Sequence, residues 1–129
     1  MQIKFVSLIV ENQEHAQQFY TSTLGFEKMA DIPMGEYRWL TAKSPDSING
    51  VELGLEPKAI SPVRTFQRAP NDAGIPATAF ITTDIAAEFT CLNARGVKIC
   101  GEPMKMERIS AVMFEDTCGN LINLVQSPA

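Results

Sequence analysis

The chain has 129 residues, 45% hydrophobic and 20% charged, which fits a single globular domain and lies far from the profile of a disordered segment. Its formal charge of -4, from 11 Lys and Arg against 15 Asp and Glu, leaves no concentration of cations to track a phosphate backbone, so no nucleic-acid partner is expected. Cys91, Cys100 and Cys118 form neither an even disulfide set nor a C-x-x-C pair, and the apolar run at the N-terminus ends at Glu11. A reducing, cytoplasmic location and no membrane partner follow.

In chain order, residues around 3–10 are apolar and β-rich, and Asn12 offers a side-chain oxygen to cap a helix. That helix carries Ala16, Phe19, Tyr20 and Leu24 on one stripe, and Gly25 ends it. Strands are expected over 26–32, 37–43 and 51–56, separated by turn formers. Residues 57–74 lose the alternation and read as a joint, with a short helix near 63–68. The pattern then resumes: a strand over 77–82, a helix capped by Asp84 and stopped at Gly96, and strands near 97–100, 110–115 and 121–126. Asp116-Thr-Cys-Gly-Asn120 reads as a hairpin loop. Met104, Met106 and Met113 read as core filler, and Glu107-Arg108 as a solvated loop.

The second half restates the first. Gly25 and Gly96 differ by 71, as do Asn49 and Asn120, Glu52 and Asn123, and Leu53 and Leu124, whereas Phe5 and Ala77 differ by 72. The second helix is therefore one residue shorter. The expected organisation is one domain over 1–129: module one 1–57, linker 58–74 and module two 75–129, each module β-α-β-β-β. Paired units of this kind create a cleft at equivalent positions.

These residues resemble the vicinal oxygen chelate superfamily of glyoxalases, bleomycin-resistance proteins, extradiol dioxygenases and fosfomycin-resistance enzymes. The resemblance rests on Val10, Asn12, Phe19-Tyr20, Leu24-Gly25-Phe26, Tyr37-Arg38-Trp39 and Val51-Glu52-Leu53 in the first half. In the second it rests on Ala79-Phe80, Asp84-Ile85, Arg95-Gly96-Val97 and Phe114 to Ile122. It implies an α+β fold, two tandem β-α-β-β-β modules forming a curved mixed sheet around a central cup, with helices on the outer face. It also implies a homodimer, since members of the family often pair. Metal-dependent members carry ligands at the start of each unit's first strand and on each unit's last strand; those positions here are Phe5, Glu52, Ala77 and Asn123.

Phenylalanine and alanine have no lone pair to give a metal, and Glu52 with an amide oxygen from Asn123 is too small a donor set for a catalytic divalent ion. The only histidine, His15, falls in the first turn of helix one and reads as a surface residue. No metal and no cofactor are therefore expected. Strand alternation groups Phe5, Ser7 and Ile9 with Glu52 and Gly54, and Ala77, Ala79 and Ile81 with Asn123 and Val125. Tyr37, Trp39 and Thr41 share a face, with either that face or the Arg38 face turned to the cup.

Glu52 has two readings: a general base or anchor for a ligand group, or an inherited residue satisfied by Arg38, a hydroxyl or water. Trp39 is wall or stacking platform. The function expected is metal-free binding of a small apolar or aromatic molecule by Phe5, Ser7, Trp39, Glu52, Ala77 and Asn123. The alternative is a lyase, isomerase or dioxygenase using Glu52 as catalytic base or metal ligand.

Overall fold

The computed structural model describes residues 1–47, 50–57, 67 and 72–126. Contacts divide the chain into two compact units, Met1–Thr65 and Phe66–Ala129. The first holds β1 (Phe5–Val10), helix α1 (Gln13–Gln18) with a π-helical continuation (Phe19–Thr23), β2 (Glu27–Met34), β3 (Tyr37–Lys43) and β4 (Glu52–Pro57). The second holds β5 (Thr78–Thr82), helix α2 (Ile85–Ala94), β6 (Ile99–Met106), β7 (Ile109–Glu115) and β8 (Leu121–Gln126). Each unit forms a four-stranded mixed sheet of identical topology, β1-β4-β3-β2 and β5-β8-β7-β6. This is the tandem α+β arrangement expected from the sequence. No described helix is long and apolar enough to cross a membrane.

The first and last strands of each unit pair in parallel, β1 with β4 and β5 with β8. A parallel pair needs a long crossover, and the helix supplies it. Helix and sheet then share a core on one face: Leu8, Val10, Leu40, Leu53 and Leu55 with Ala16, Phe19 and Tyr20 in the first unit. In the second, Val112, Phe114, Ile122 and Leu124 pack with Ile85 and Leu92, and the Phe80 and Phe114 rings lie 6.4 Å apart.

The one-residue difference between the repeats has a visible home. From the cap Asn12 to Gly25 is 13 residues, and from the cap Asp84 to Gly96 is 12. α2 is regular, whereas the extra residue in the first unit is absorbed by the π-helical turn, whose Leu24 N–H donates to Phe19 O at 3.0 Å. A wider turn of this kind is the usual way to insert one residue without moving the helix ends. Both exits then need left-handed backbone, at Gly25 (φ 80°) and Gly96 (φ 75°).

The sheets are not paired alike. β7 and β8 pair at six positions, but β3 and β4 only at Thr41↔Gly54 and Ala42↔Leu53. Where the ladder stops, the Gln13 carboxamide takes its place: Nε2 donates to the carbonyls of Arg38 (2.7 Å) and Leu55 (2.9 Å), and Oε1 accepts from Arg38 N–H (3.1 Å). Three backbone groups are satisfied by one side chain.

Two expectations need correction. β6 runs to Met106 instead of ending near 100, because a register irregularity between Cys100 and Met104 carries it through Gly101 and Pro103. Pro103 is tolerated because β6 is an edge strand, as β2 is for Pro33. Met104 and Met106, read as core filler, are instead 67% and 61% exposed near the β6–β7 turn, where Glu107 adopts φ 55°. The short helix expected near 63–68 lies outside the described residues apart from Gln67, which is buried and donates from Nε2 to Cys118 O (2.9 Å).

Replacing Gln13 by Leu strips three partly buried backbone groups of their partner, and should lower unfolding free energy by about 1–3 kcal/mol in urea titrations. On the same face of the sheet, Arg38 donates to Asp31 (2.8 and 2.9 Å) and Glu14 (2.8 Å), and also to Gln17. The Arg38 bonds, reinforced by Lys28, lower the Asp31 pKa to about 2. A depressed carboxylate contributes stability that is fully present above its ordinary value and lost as pH falls through the lowered one. The stability gap between wild type and Asp31→Asn should therefore close as pH is taken from about 4 to about 2, and a gap constant across that range would refute the assignment.

Candidate functional site

The register of β1 against β4 places Phe5 beside Glu52 and Ser7 beside Gly54, and β3 adds Thr41 on the other side of Gly54. These residues, with Trp39 two positions from Thr41, share the face opposite the helix. Arg38 is on the helix face, bonded to Glu14, so of the two residues it is Trp39 that lies on the opposite face of the sheet. Arg38 does not satisfy Glu52; a hydroxyl does, since Thr41 Oγ1 donates to Glu52 Oε1 at 2.6 Å.

Two aromatic rings meet on this face across the middle strand. Phe5 on β1 and Trp39 on β3 have centroids 5.6 Å apart at 72°, an edge-to-face contact. β4 runs between those strands and carries Gly54 on this face, so no side chain rises there. Both rings remain accessible, Phe5 at 48% and Trp39 at 37%. A Cβ at Gly54 would lie 3.5 Å from Glu56 Oε1 and 3.9 Å from Ser7 Oγ. Glu56 thus leans back toward the glycine. Side-chain oxygens of Ser7 and Glu56 thus flank Gly54, and the hydrogen-bonded Thr41 and Glu52 lie on the same face.

In the second unit Asn123 pairs with Ala79 on one side and Met113 on the other, and is half-buried. Ala77 precedes β5 and donates its N–H to Leu121 O at 2.8 Å. The neighbours on this face, Ala79, Ile81, Ala111 and Val125, are apolar. The buried Asp116 holds the adjoining turn: its Oδ1 accepts from the N–H groups of Cys118 (2.8 Å) and Asn120 (3.0 Å), and its Oδ2 from Asn120 Nδ2 (2.9 Å).

At the four family ligand positions, Phe5 presents a phenyl ring and Ala77 a methyl group, neither with a lone pair. Among the described residues no group of three or more His, Cys, Asp or Glu could hold a metal ion. His15 is exposed in the first turn of α1, its N–H donating to the capping Asn12 Oδ1 at 3.0 Å. The structure brings Phe5, Ser7, Trp39 and Glu52 onto one face of the first sheet; Ala77 and Asn123 belong to the second unit. Sequence reading overlooked Glu56 and the Thr41 bond. Glu56 was findable by alternation, being two residues from Gly54; the Thr41 bond needed the β3–β4 register.

The chain belongs to the Glyoxalase/Bleomycin resistance protein/Dioxygenase superfamily, whose model matches residues 2–124. It is 44% identical over 126 residues to the uncharacterized protein YurT of Bacillus subtilis (strain 168), covering 98% of this chain and 99% of YurT. Among solved structures it is similar to UcmS2, with a TM-score of 0.83 and 26% identity over 100% of this chain and 98% of that one. It is also similar to TnmS3, an antibiotic binding protein from Streptomyces sp. CB03234, with a TM-score of 0.74 and 27% identity over 98% and 96% of the two chains.

Trp39 is the only tryptophan, so its fluorescence reports on this face alone. Phe5→Ala removes the edge-to-face neighbour and should red-shift Trp39 emission, with a stability loss of about 0.5–1.5 kcal/mol from the lost ring pair. Unchanged emission would mean that the two rings do not pack in solution.

Proposed function

We propose that the protein binds a small, partly aromatic molecule without metal, through Phe5, Ser7, Trp39 and Glu52 on one face of the first unit; Ala77 and Asn123 hold the equivalent positions on the second. The observation that carries the reading is the accessible Phe5–Trp39 pair on the face that carries Gly54, with the Glu52 carboxylate next to Phe5 in the strand register. An apolar surface with a few convergent polar groups is the usual make-up of a small-molecule site. The antibiotic binding activity named for TnmS3 supports the same class of function. The donor set does not fit a divalent ion: two of the four family positions lack any donor atom, and three protein ligands are the usual minimum for a catalytic site.

The test uses the full chain, 15N-labelled and chelator-treated, titrated with 2-naphthol. Saturable amide shifts centred on Phe5, Ser7, Trp39 and Glu52, with the probe recovered unchanged by mass spectrometry, are expected. Melting temperature should be unmoved by Ni, Zn, Mn, Fe or Co. No saturable shift at these positions, or stabilisation saturating at one metal ion per chain, would overturn the proposal.

A further inference from the structure

Thr41 is a threonine with no exposed surface, at the centre of the first sheet, on the face opposite the helix. Two observations fix what its hydroxyl can do. β2 carries a bulge between Lys28 and Ala30, where the register slips by one residue. There the Ala30 N–H points to Thr41 Oγ1, at 3.1 Å. A threonine hydroxyl has a single proton, and with a lone pair already engaged by Ala30 that proton is directed at Glu52 Oε1, 2.6 Å away. The bulge, the hydroxyl and the carboxylate form one chain of hydrogen bonds running from backbone to site.

This chain settles the polarity that Glu52 presents. Oε1 is occupied by Thr41, and no hydrogen bond from the described residues reaches Oε2. An ionised carboxylate only accepts hydrogen bonds. Glu56, whose Oε1 is 3.5 Å from the Cβ position of Gly54, adds a second acceptor beside the same glycine. The Phe5 and Trp39 rings offer an apolar surface next to these acceptors, and the donors beside them are neutral ones, the indole N–H and the Ser7 hydroxyl, set against two carboxylates.

We infer that the site selects aromatic ligands bearing a hydrogen-bond donor, a hydroxyl or a protonated amine, over isosteres that can only accept, and that Thr41 is the positioning residue that enforces the choice. The inference rests on the small-molecule reading above and adds its specificity. A ligand oxygen that only accepts would face Glu52 with lone pair against lone pair and leave the carboxylate short of a donor, and unpaired polar groups are what a site rejects most strongly.

Three probes sharing one ring system separate the possibilities by calorimetry on the full chain: 2-naphthol, 2-naphthylmethylamine as its cation, and 2-methoxynaphthalene. At least one donor probe should bind about tenfold or more tightly than 2-methoxynaphthalene, the size of a hydrogen bond to a charged group. The stronger of the two identifies a neutral or a cationic donor as the preferred partner. In Thr41→Val that ratio should fall to within about twofold, and in Thr41→Ser, which restores the hydroxyl, it should return. A purely structural role for Thr41 would weaken all three probes together and leave the ratio intact. Equal binding of the probes by wild type overturns the inference while leaving the small-molecule reading standing; failure of all three to bind overturns both. Should Thr41→Val not fold, the wild-type ratio and the Thr41→Ser ratio still decide.

Discussion

The parallel pairing of each unit's first and last strands is the constraint from which the remainder follows. Two strands that run the same way cannot be joined by a tight turn, so each unit must send its chain over one face of the sheet as a helix. The helix then dictates the sides: Leu8 and Leu55 go beneath it, and Phe5, Glu52 and Gly54 are left on the other. Register does the rest. Shifting β1 by one residue against β4 would take Phe5 away from Glu52 and place Ser7 and Phe5 among the helix contacts, so the core and the candidate site are set by the same pairing.

Within that frame the two units spend their sequence differently. The first accommodates one additional residue as a π-helical turn and keeps polar oxygens around Gly54, while the second keeps a regular helix and a largely apolar face with Asn123 at its middle. A duplicated architecture therefore supports two unlike surfaces. The aromatic pair, the two glutamates and Thr41 all lie on the first.

The strands at 37–43 and 121–126 were legible to the residue because alternation and flanking turn formers agreed there. β6 was not, since Gly101 and Pro103 punctuate the sequence like a loop while an edge strand tolerates both. Met104 and Met106 are exposed for the same reason, since they lie on the outer length of that edge strand. Which side of β3 faces the helix could not be read from β3 alone, because an alternating strand has two equivalent phases until a partner fixes one. The Gln13, Glu14 and Gln17 contacts of Arg38 supplied that partner. The Thr41 chain was invisible for a further reason: it depends on a bulge in one strand, a register in another and a rotamer in a third.

The Gln13 bridge leaves the two sheets unevenly stitched. In the second unit the inner seam of the sheet is closed by backbone along six residue pairs, and opening it means breaking many bonds at once. In the first unit the corresponding seam is stitched at two pairs and then held by a single rotatable side chain. Side chains rearrange on far shorter timescales than ladders separate. Trp39 sits on that sparsely paired strand, beside the Arg38 peptide groups that Gln13 holds, so the half of the protein carrying the aromatic pair is also the half whose inner seam depends on a side chain.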